Sequence, residues 1–342
     1  MFQSFEATSS PDQGPPRLKA LRAVMKDAGV DAFVVPRADA HQGEYVAPCD
    51  ERLAWLTGFT GSAGFAAITQ EIAGVFIDGR YRVQVKSQVA DTFTPVDWPE
   101  TKLGPWLVKH LKKGDKVGVD PWLHTVTDVR GLRSALESAD IALVVSPNLV
   151  DAIWDDRPGR PKAPLLVHSV DVAGESSAEK RARLAADLKA QKRDAVVLTL
   201  PDSICWLLNI RGSDIPRNPL AQGFAVLHAS GKVAFFTNAS ADDEVVAHLG
   251  SDVSLHAYDG LAAYLQTLSG TIQLDPGSAP EAVRAVLEEV EGVETAEADD
   301  PCVLPKACKT DAEIAATRGA HLRDGAAMVE FLAWFDEHAP SG

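Results

Sequence analysis

Hydrophobic residues near the start of the chain recur first with the spacing of a helix and then with that of a strand. Between residues 17 and 28, apolar side chains repeat every three or four positions, at Leu18, Leu21, Val24 and Met25. This spacing places them on one face of an amphipathic helix, and Gly29 is a suitable residue to end it. The apolar run Ala32–Val35 follows and is closed by Pro36. The pattern therefore predicts a helix followed by a buried strand.

The same pattern returns in the second half of the chain. Four segments of the first half resemble four segments of the second half, in the same order. The pairs are residues 17–35 with 181–200, 51–64 with 202–215, 65–68 with 224–227, and 116–121 with 271–276. Both copies contain the pattern W-x5-G-S, and both contain a short apolar run followed by Asp-Pro. Two unrelated α/β domains would not readily share both features, so the sequence predicts a tandem structural duplication.

Helices and strands alternate within each copy, which is typical of an α/β fold. We predict a flexible tail over residues 1–16, a first domain over 17–150 and a second domain over 165–305. The connecting segment 151–164 contains DDRPGRPKAP, whose prolines favour a stiff, extended linker. Residues 306–342 remain outside the two domains.

This last segment predicts one strong helix over residues 309–335. Thr310 and Glu313 have the spacing of a capping box. One helical face then contains, at spacings of three or four, Ile314, Thr317, His321, Asp324, Met328, Phe331 and Phe335. Its apolar stripe is expected to be buried against another surface. The helix either packs on the second domain or begins a third domain, and we favour the second interpretation.

Composition and charge exclude several classes of protein. The 342 residues contain 33 Lys and Arg against 48 Asp and Glu, which gives a net charge of −15. An acidic chain argues against nucleic-acid binding and against an anionic membrane surface. No run of 18 uncharged apolar residues predicts a membrane span, and the start lacks the pattern of a secretory signal. Four cysteines without a CxxC pair indicate a reduced, cytoplasmic protein.

Candidate chemistry is sparse. The nine histidines show no spacing typical of metal ligands. Ser62 lies in GSAG, which differs from the G-x-S-x-G nucleophile motif, and the second copy also has Gly-Ser at the corresponding position, so a structural turn is the better interpretation. Arg80 is the sharper candidate, because DGRY follows a predicted strand and a guanidinium suits a carboxylate or peptide carbonyl. Internal pairing of Arg80 with Asp78 is the alternative.

Several long blocks resemble one known family. These are HQGEYVAPCDERLAWLTGFTGSAGFAAIT at 41–69, IDGRYRVQV at 77–85, NLVDAIWDDRPGRP at 148–161, WLLNIRGSDIPRNP at 206–219, and KTDAEIAATRGAHLRDGAAMVEFLAWF at 309–335. Together they resemble the amino-terminal part of the long, three-domain Xaa-Pro aminopeptidases (aminopeptidase P), metallopeptidases with a pita-bread catalytic domain. The resemblance covers about residues 17–338, nearly the whole chain.

The resemblance implies two related creatinase-type amino-terminal domains, each a mixed sheet with flanking helices, which agrees with the duplication. It further implies a third, catalytic pita-bread domain with two metal ions, usually manganese, bound by two Asp, one His and two Glu. The full-length enzyme would remove the first residue from Xaa-Pro peptides, work in the cytoplasm and form a homodimer. We expect residues 306–342 to be the beginning of this third domain.

No metal ligand or catalytic residue can be assigned within this chain from the resemblance, because the carboxylates after Lys309 lie on or beside one helix. We therefore expect the chain alone to bind no metal pair and to be inactive, and to act as scaffold, dimerisation surface and substrate-access gate. Arg80 is the one functional residue that the family motif assigns, as a contact for bound peptide. Two alternatives remain open, a naturally truncated peptide- or partner-binding module and a prolidase or creatinase relative.

Overall fold

The computed structural model of the chain, which describes residues 9–339, contains two six-stranded mixed sheets that have the same strand order. The first sheet has the order β4-β3-β2-β1-β5-β6. Its strands are β1 Ala32–Pro36, β2 Gly64–Thr69, β3 Ala73–Ile77, β4 Thr94–Asp97, β5 Lys116–Val119 and β6 Ala142–Val145. Its helices are α1 Gly14–Asp27, α2 Arg52–Thr57, α3 Gln84–Gln88, α4 Leu103–His110 and α5 Val126–Glu137. We call this part of the chain the first domain.

Both faces of the first sheet are buried, which explains why β1 is a continuous apolar run. Phe33 and Val35 of β1 belong to a core that also contains residues of α1 and α2. Ala32 and Val34 point to the opposite face, into a core shared with α4 and α5. Because successive side chains of a strand alternate between faces, a sheet covered on both sides needs apolar residues at every position. The mixed α/β fold predicted from the sequence is confirmed.

The second sheet repeats the first with the order β12-β11-β10-β8-β13-β14. Its strands are β8 Ala195–Leu198, β10 Gly223–His228, β11 Val233–Thr237, β12 Val253–His256, β13 Gly270–Leu274 and β14 Val293–Glu297. Strands β7 Leu166–Val167 and β9 Ile210–Arg211 form a separate antiparallel pair. The helices are α6 Val170–Ala173, α7 Ser177–Ala190, α8 Pro201–Leu208, α9 Asp243–Leu249, α10 Leu261–Leu265, α11 Glu281–Glu288 and α12 Val303–Ala307. These elements form the second domain.

The two domains contact each other through the segments that follow β5 and β13. Thr125 and Pro280 form an isolated antiparallel bridge. On either side of it the amide of Val126 donates to the carbonyl of Ala279, and the amide of Glu281 donates to the carbonyl of His124. Each residue on one side corresponds to the residue 155 positions later on the other. The two copies therefore face each other across a local pseudo-two-fold axis.

The start of the chain is more regular than the predicted tail. Residues 1–8 of that tail lie outside the described residues. Pro11–Gln13 forms one turn of 3-10 helix, and α1 begins directly afterwards at Gly14. The proline-rich segment between the domains has no regular secondary structure over residues 157–165, in keeping with an extended linker.

The last helix, α13 Asp311–His338, has the predicted capping box. The Thr310 hydroxyl accepts a hydrogen bond from the Glu313 amide and donates one to the carbonyl of Ala173, which anchors the beginning of the helix to α6. Beyond this anchor its large apolar side chains are exposed, at Leu322, Met328, Val329, Phe331, Leu332, Trp334 and Phe335. The apolar stripe is therefore not buried against the second domain. Among residues 9–339, no helix is long and apolar enough to cross a membrane.

Candidate functional site

The sequence-predicted site residue, Arg80, lies just beyond the carboxyl end of β3. Asp78 directly follows the strand, and its carboxylate accepts a hydrogen bond from the Arg80 amide at 2.9 Å. This bond caps a single 3-10 turn, Gly79–Tyr81. A short polar side chain at such a position commonly satisfies the free amides of the next turn. The local sequence therefore directs the Arg80 side chain away from the edge of the sheet.

The guanidinium of Arg80 forms a side-on ion pair with Asp78. Its Nη2 lies 2.7 Å from Asp78 Oδ2, and its Nε lies 3.1 Å from the same oxygen. The hydrogen bonds from Arg80 lower the pKa of Asp78. The internal pairing that the sequence left open is thus present, although the Arg80 side chain is still 62% exposed. Contact of Arg80 with a peptide stays a prediction.

Gly61 and Ser62 form a tight turn beside this site. A Cβ at Gly61 would lie 2.2 Å from the ring of Phe59, so a side chain cannot be accommodated without movement. The Ser62 hydroxyl is 2.6 Å from the phenol oxygen of Tyr81, and this bond lowers the pKa of the Tyr81 hydroxyl. These contacts support the interpretation of Gly61-Ser62 as a structural turn.

The side chains in the described part of the chain do not fit a metal centre. Among residues 9–339, no group of three or more His, Cys, Asp or Glu side chains could hold a metal ion. A dinuclear site needs several carboxylates and imidazoles that converge on one point. The two manganese ions expected for the full-length enzyme therefore have no ligand set among these residues.

A buried polar network joins the first domain to the linker. Arg52 donates to both carboxylate oxygens of Asp151, at 2.7 and 3.0 Å, and to Asp50 at 2.9 Å. Arg157 donates to Asp151 at 2.6 Å and to the carbonyl of Cys49 at 2.7 Å. Sequence reasoning did not find this network, because its members are charged residues from distant segments without a recognisable motif.

The segment that begins with Asp39 reaches into the second domain. The carboxylate of Asp39 accepts hydrogen bonds from the amides of His41 and Gly43 and from the Gln222 side chain. His41 is only 2% exposed, and its Nδ1 lies 2.9 Å from the carbonyl oxygen of Thr199. The sequence analysis did not find this contact, because it treated His41 as one of nine scattered histidines.

A cavity of about 510 Å³ lies between the domains, beside this network. The guanidinium of Arg160 lies 4.3 Å above the ring of Tyr258 at its wall, an arrangement typical of a cation–π contact. Trp122 and Asn148 contribute from the first domain, and Leu261 from the second. The cavity therefore combines charged and apolar walls from both copies.

Comparison with known proteins explains the repeated architecture. Two models described as Creatinase/Prolidase N-terminal domain match, one over residues 17–153 and the other over residues 156–313. The chain belongs to the creatinase/prolidase N-terminal domain family and contains that domain twice. The two matched stretches coincide with the two sheets and the helices around them.

Curated relatives extend this similarity over nearly the whole chain. The chain is 36% identical to a probable Xaa-Pro aminopeptidase P of Coccidioides posadasii, over 97% of the chain and 53% of that protein. It is 37% identical to a probable Xaa-Pro aminopeptidase P of Aspergillus niger, over 94% of the chain and 54% of that protein. The chain is thus homologous to Xaa-Pro aminopeptidase P, and it spans about half the length of the relatives it matches.

A solved structure shows the same arrangement of elements. The X-prolyl aminopeptidase of Caenorhabditis elegans, described as a cytosolic enzyme with a di-nuclear active site, matches with a TM-score of 0.88 and 32% identity. The match covers 96% of this chain and 56% of that one. The tandem pair of creatinase-type domains predicted from the sequence is confirmed.

Proposed function

We propose that these residues form the amino-terminal region of a metallo-aminopeptidase that removes the first residue from Xaa-Pro peptides. One observation carries the proposal, namely homology to Xaa-Pro aminopeptidase P over 97% of the chain. The relatives are about twice as long as the matched region, so the activity is proposed for a protein that includes their remaining half. In that protein the two domains would serve as scaffold and dimerisation surface and would control access of substrate.

The metal ligands and catalytic residues of this activity are proposed to lie outside residues 9–339. These residues offer no cluster of three metal-ligating side chains, whereas the C. elegans relative is described as having a di-nuclear active site. We therefore propose that the 342-residue chain alone does not cleave Xaa-Pro peptides. We also propose a cytosolic location, which is the one described for that relative.

Arg80 is the residue proposed to contact the substrate. Its side chain is anchored by Asp78 on one edge, while most of the guanidinium surface faces solvent. A guanidinium held in this way keeps free N–H groups that can donate to a peptide carbonyl or carboxylate. Anchoring also reduces the conformational entropy that the side chain would lose on binding.

The first experiment compares peptide cleavage by two proteins, the 342-residue chain and the complete product of its gene, with manganese added to both. The proposal expects cleavage of Xaa-Pro peptides by the complete product only. Robust, metal-dependent cleavage by the 342-residue chain would overturn the proposed location of the metal ligands and catalytic residues. The coding sequence after Gly342 provides an independent check, because a stop codon there would favour a binding module instead.

The second experiment tests Arg80 in the complete gene product. Arg80→Ala should raise KM for short Xaa-Pro peptides and leave kcat nearly unchanged, because the lost contact binds substrate and transition state alike. Arg82→Ala is the matched control, since Arg82 is also exposed and pairs with Asp97 and Glu100. An unchanged KM for the Arg80 variant would reject the proposed role.

A further inference from the structure

The first domain contains an open crevice at the point where its strand order reverses. From β1 the chain fills the sheet in one direction as far as β4, then returns to the other side of β1 with β5. A cavity of about 590 Å³ lies at the carboxyl ends of β1 and β5. In open α/β sheets, this topological switch point is where ligands usually bind. The crevice is lined by Phe65, Trp98, Leu103, Leu123, His124 and Leu132, among others.

The second domain has a corresponding crevice. The pairing of residues between neighbouring strands shows which residues of the two domains correspond. Phe65 pairs with Phe76 across β2 and β3, as Phe224 pairs with Phe236 across β10 and β11. Phe76 faces Val96 on β4, as Phe236 faces His256 on β12. Two residues further along the chain these two strands lead to Trp98 and Tyr258, respectively. At three of these four corresponding positions, all except Val96 and His256, both domains therefore have a Phe, Trp or Tyr residue.

In the second domain an imidazole ring from the first domain occupies the part of this crevice beside Phe224 and Tyr258. The ring of His41 lies with its centroid 4.4 Å from that of Phe224 and meets Tyr258 edge to face at 5.7 Å. Its Nδ1 is 2.9 Å from the carbonyl oxygen of Thr199, and its Nε2 is 2.9 Å from the Tyr258 hydroxyl. The occupied copy thus shows what the crevice accepts, a planar ring with polar atoms at two edges.

The aromatic walls of the first crevice remain accessible. Phe224 is 1% exposed beneath the His41 ring, whereas its counterpart Phe65 is only partly buried. Tyr258 is 7% exposed, whereas its counterpart Trp98 is 36% exposed. The first domain therefore has the aromatic walls of a ring-binding site with their surfaces open.

Polar groups of the first crevice indicate the charge of the ligand. His124 is 7% exposed, and its Nε2 has no hydrogen-bond partner among residues 9–339. Lys102 is exposed and precedes α4, whose first turn has no side-chain cap. The nearby carboxylate of Asp128 already accepts hydrogen bonds from Thr125. A free ammonium and an uncapped helix N-terminus both favour an anionic substituent.

We propose that the crevice between the carboxyl ends of β1 and β5 binds a small, planar heteroaromatic ring that carries an anionic group. The ring packs against Phe65 and Trp98, whose rings contact each other edge to face at 6.1 Å, as His41 packs on Phe224 and Tyr258 in the second domain. The buried edge of the ring hydrogen-bonds to His124, and the anionic group lies near Lys102. Arg80, the proposed peptide contact, is not among the residues that line this crevice.

The test uses imidazole-4-acetate as the probe and plain imidazole for comparison, at about pH 8, where the rings are neutral. Titration calorimetry and saturation-transfer NMR on the 342-residue chain should show one site with a Kd of the order of 1 mM for imidazole-4-acetate. Imidazole should bind more weakly. Lys102→Gln should reduce the affinity for imidazole-4-acetate about fivefold and leave imidazole binding unchanged.

A blocking variant locates the site. Gly131 lines the crevice on α5, and a Cβ there meets no atom within 4 Å. The position tolerates a Cβ, so Gly131→Phe should place a ring at the crevice and reduce probe affinity at least tenfold, while Gly131→Ala should retain binding. Absence of binding in the wild type at about 10 mM probe would overturn the proposal. Equal affinity in the Gly131→Phe and Gly131→Ala variants would also overturn it.

A second variant tests the correspondence between the copies. His41→Gly empties the crevice of the second domain, so imidazole should occupy it and raise the number of bound probes from one to two. Imidazole should also raise the Tm of this variant more than that of the wild type. If the folded variant bound no additional imidazole, the occupied copy would not be a guide to the open one, and the proposal would fail.

Discussion

Arg52 donates two parallel hydrogen bonds to the carboxylate of Asp151, from Nε at 2.7 Å and from Nη2 at 3.0 Å, although 99 positions separate the two residues. A third bond from Nη1 reaches Asp50, whose side chain is 3% exposed. A side-on guanidinium–carboxylate pair is among the stronger polar contacts in proteins. It fastens the beginning of α2 to the segment that leaves the first domain.

Arg52→Met should lower the free energy of unfolding by about 3 kcal/mol, because the buried Asp50 loses its short hydrogen bond and retains the longer contact with Arg157 at 3.5 Å. Asp151 keeps one guanidinium partner instead of two. Urea denaturation monitored by circular dichroism measures the loss. The double variant Arg52→Met with Asp50→Leu should recover part of the stability, because it removes the buried charge as well. Arg82→Met, at an exposed ion pair, is the control and should leave the unfolding midpoint unchanged. A midpoint for Arg52→Met as high as that of the control would contradict this account.

The stability of the protein should decrease below about pH 6.5 because His41 is buried as a neutral ring. Burial lowers the pKa of His41, with Arg160 acting in the same direction and Asp39 and Asp50 opposing it. The unfolded chain takes up a proton near pH 6.5 that the folded chain does not, so stability is present above that pH and falls as the pH decreases. Each histidine that is buried in its neutral form lowers the free energy of unfolding by up to about 1.4 kcal/mol for every pH unit below that value.

The measurement is the free energy of unfolding between about pH 5 and pH 8, a range that brackets the ordinary histidine pKa. His41→Asn should give a shallower slope than the wild type, whatever its effect on absolute stability. Some slope should remain, because burial also lowers the pKa of His124. His321→Asn, on the exposed part of α13, serves as the control. Identical slopes for the His41 variant and the wild type would count against a neutral, buried His41.

Gly58 should not tolerate even one additional methyl group. It ends α2 with a φ of +87°, and a Cβ there would lie 2.4 Å from the carbonyl oxygen of Gln88. Gly58→Ala should cost more than about 2 kcal/mol, since it combines a left-handed conformation with a backbone clash. Gly114 has a φ of +89° and no atom within 4 Å of its Cβ position, so Gly114→Ala should cost only about 1 kcal/mol. Equal losses in urea denaturation would show that the clash is relieved elsewhere.

The exposed stripe of α13 should cause the 342-residue chain to associate. Phe331 and Trp334 are 51% and 56% exposed and belong to a larger set of exposed apolar residues on this helix. A contiguous apolar surface of this kind promotes self-association. Size-exclusion chromatography should show an elution volume that depends on concentration, and Phe331→Glu with Trp334→Glu should suppress the dependence. Val83→Glu, at a single exposed apolar residue of the first domain, should have no effect.

The sequence predicted the repeated framework well, because the framework depends on local patterns. Apolar runs placed the strands within one or two residues of their observed ends. The matched segment 181–200, whose apolar end Ala195–Leu200 predicts a strand, extends too far, since β8 ends at Leu198 and Leu200 already precedes the helix that begins at Pro201. An apolar run alone cannot distinguish the end of a strand from the beginning of a buried helix.

The contacts between the copies could not be predicted in this way. His41 meets Thr199 and Tyr258, which are 158 and 217 positions away. Nothing local distinguishes this histidine from the other eight, because its burial depends on the placement of two domains. The repeat in the sequence matched Phe65 with Phe224, but the correspondence of Trp98 with Tyr258 required the sheet register, so the sequence alone did not indicate the open crevice. The proposed contact of Arg80 with substrate rests on a sequence motif. In the structure the Arg80 guanidinium pairs with Asp78, and the side chain is exposed.

The reciprocal bridge at Thr125 and Pro280 bears on how such a duplicated chain can evolve. Its hydrogen bonds join main-chain amides to main-chain carbonyls, so they do not depend on which side chains occupy the two segments. The two halves can therefore change their surfaces independently while they stay in register with each other. One half has an open crevice, and in the other half the His41 ring of the first domain occupies the corresponding place. A contact formed by main-chain atoms thus allows the side chains of each copy to diverge. The same tolerance explains why the two copies share few identical residues.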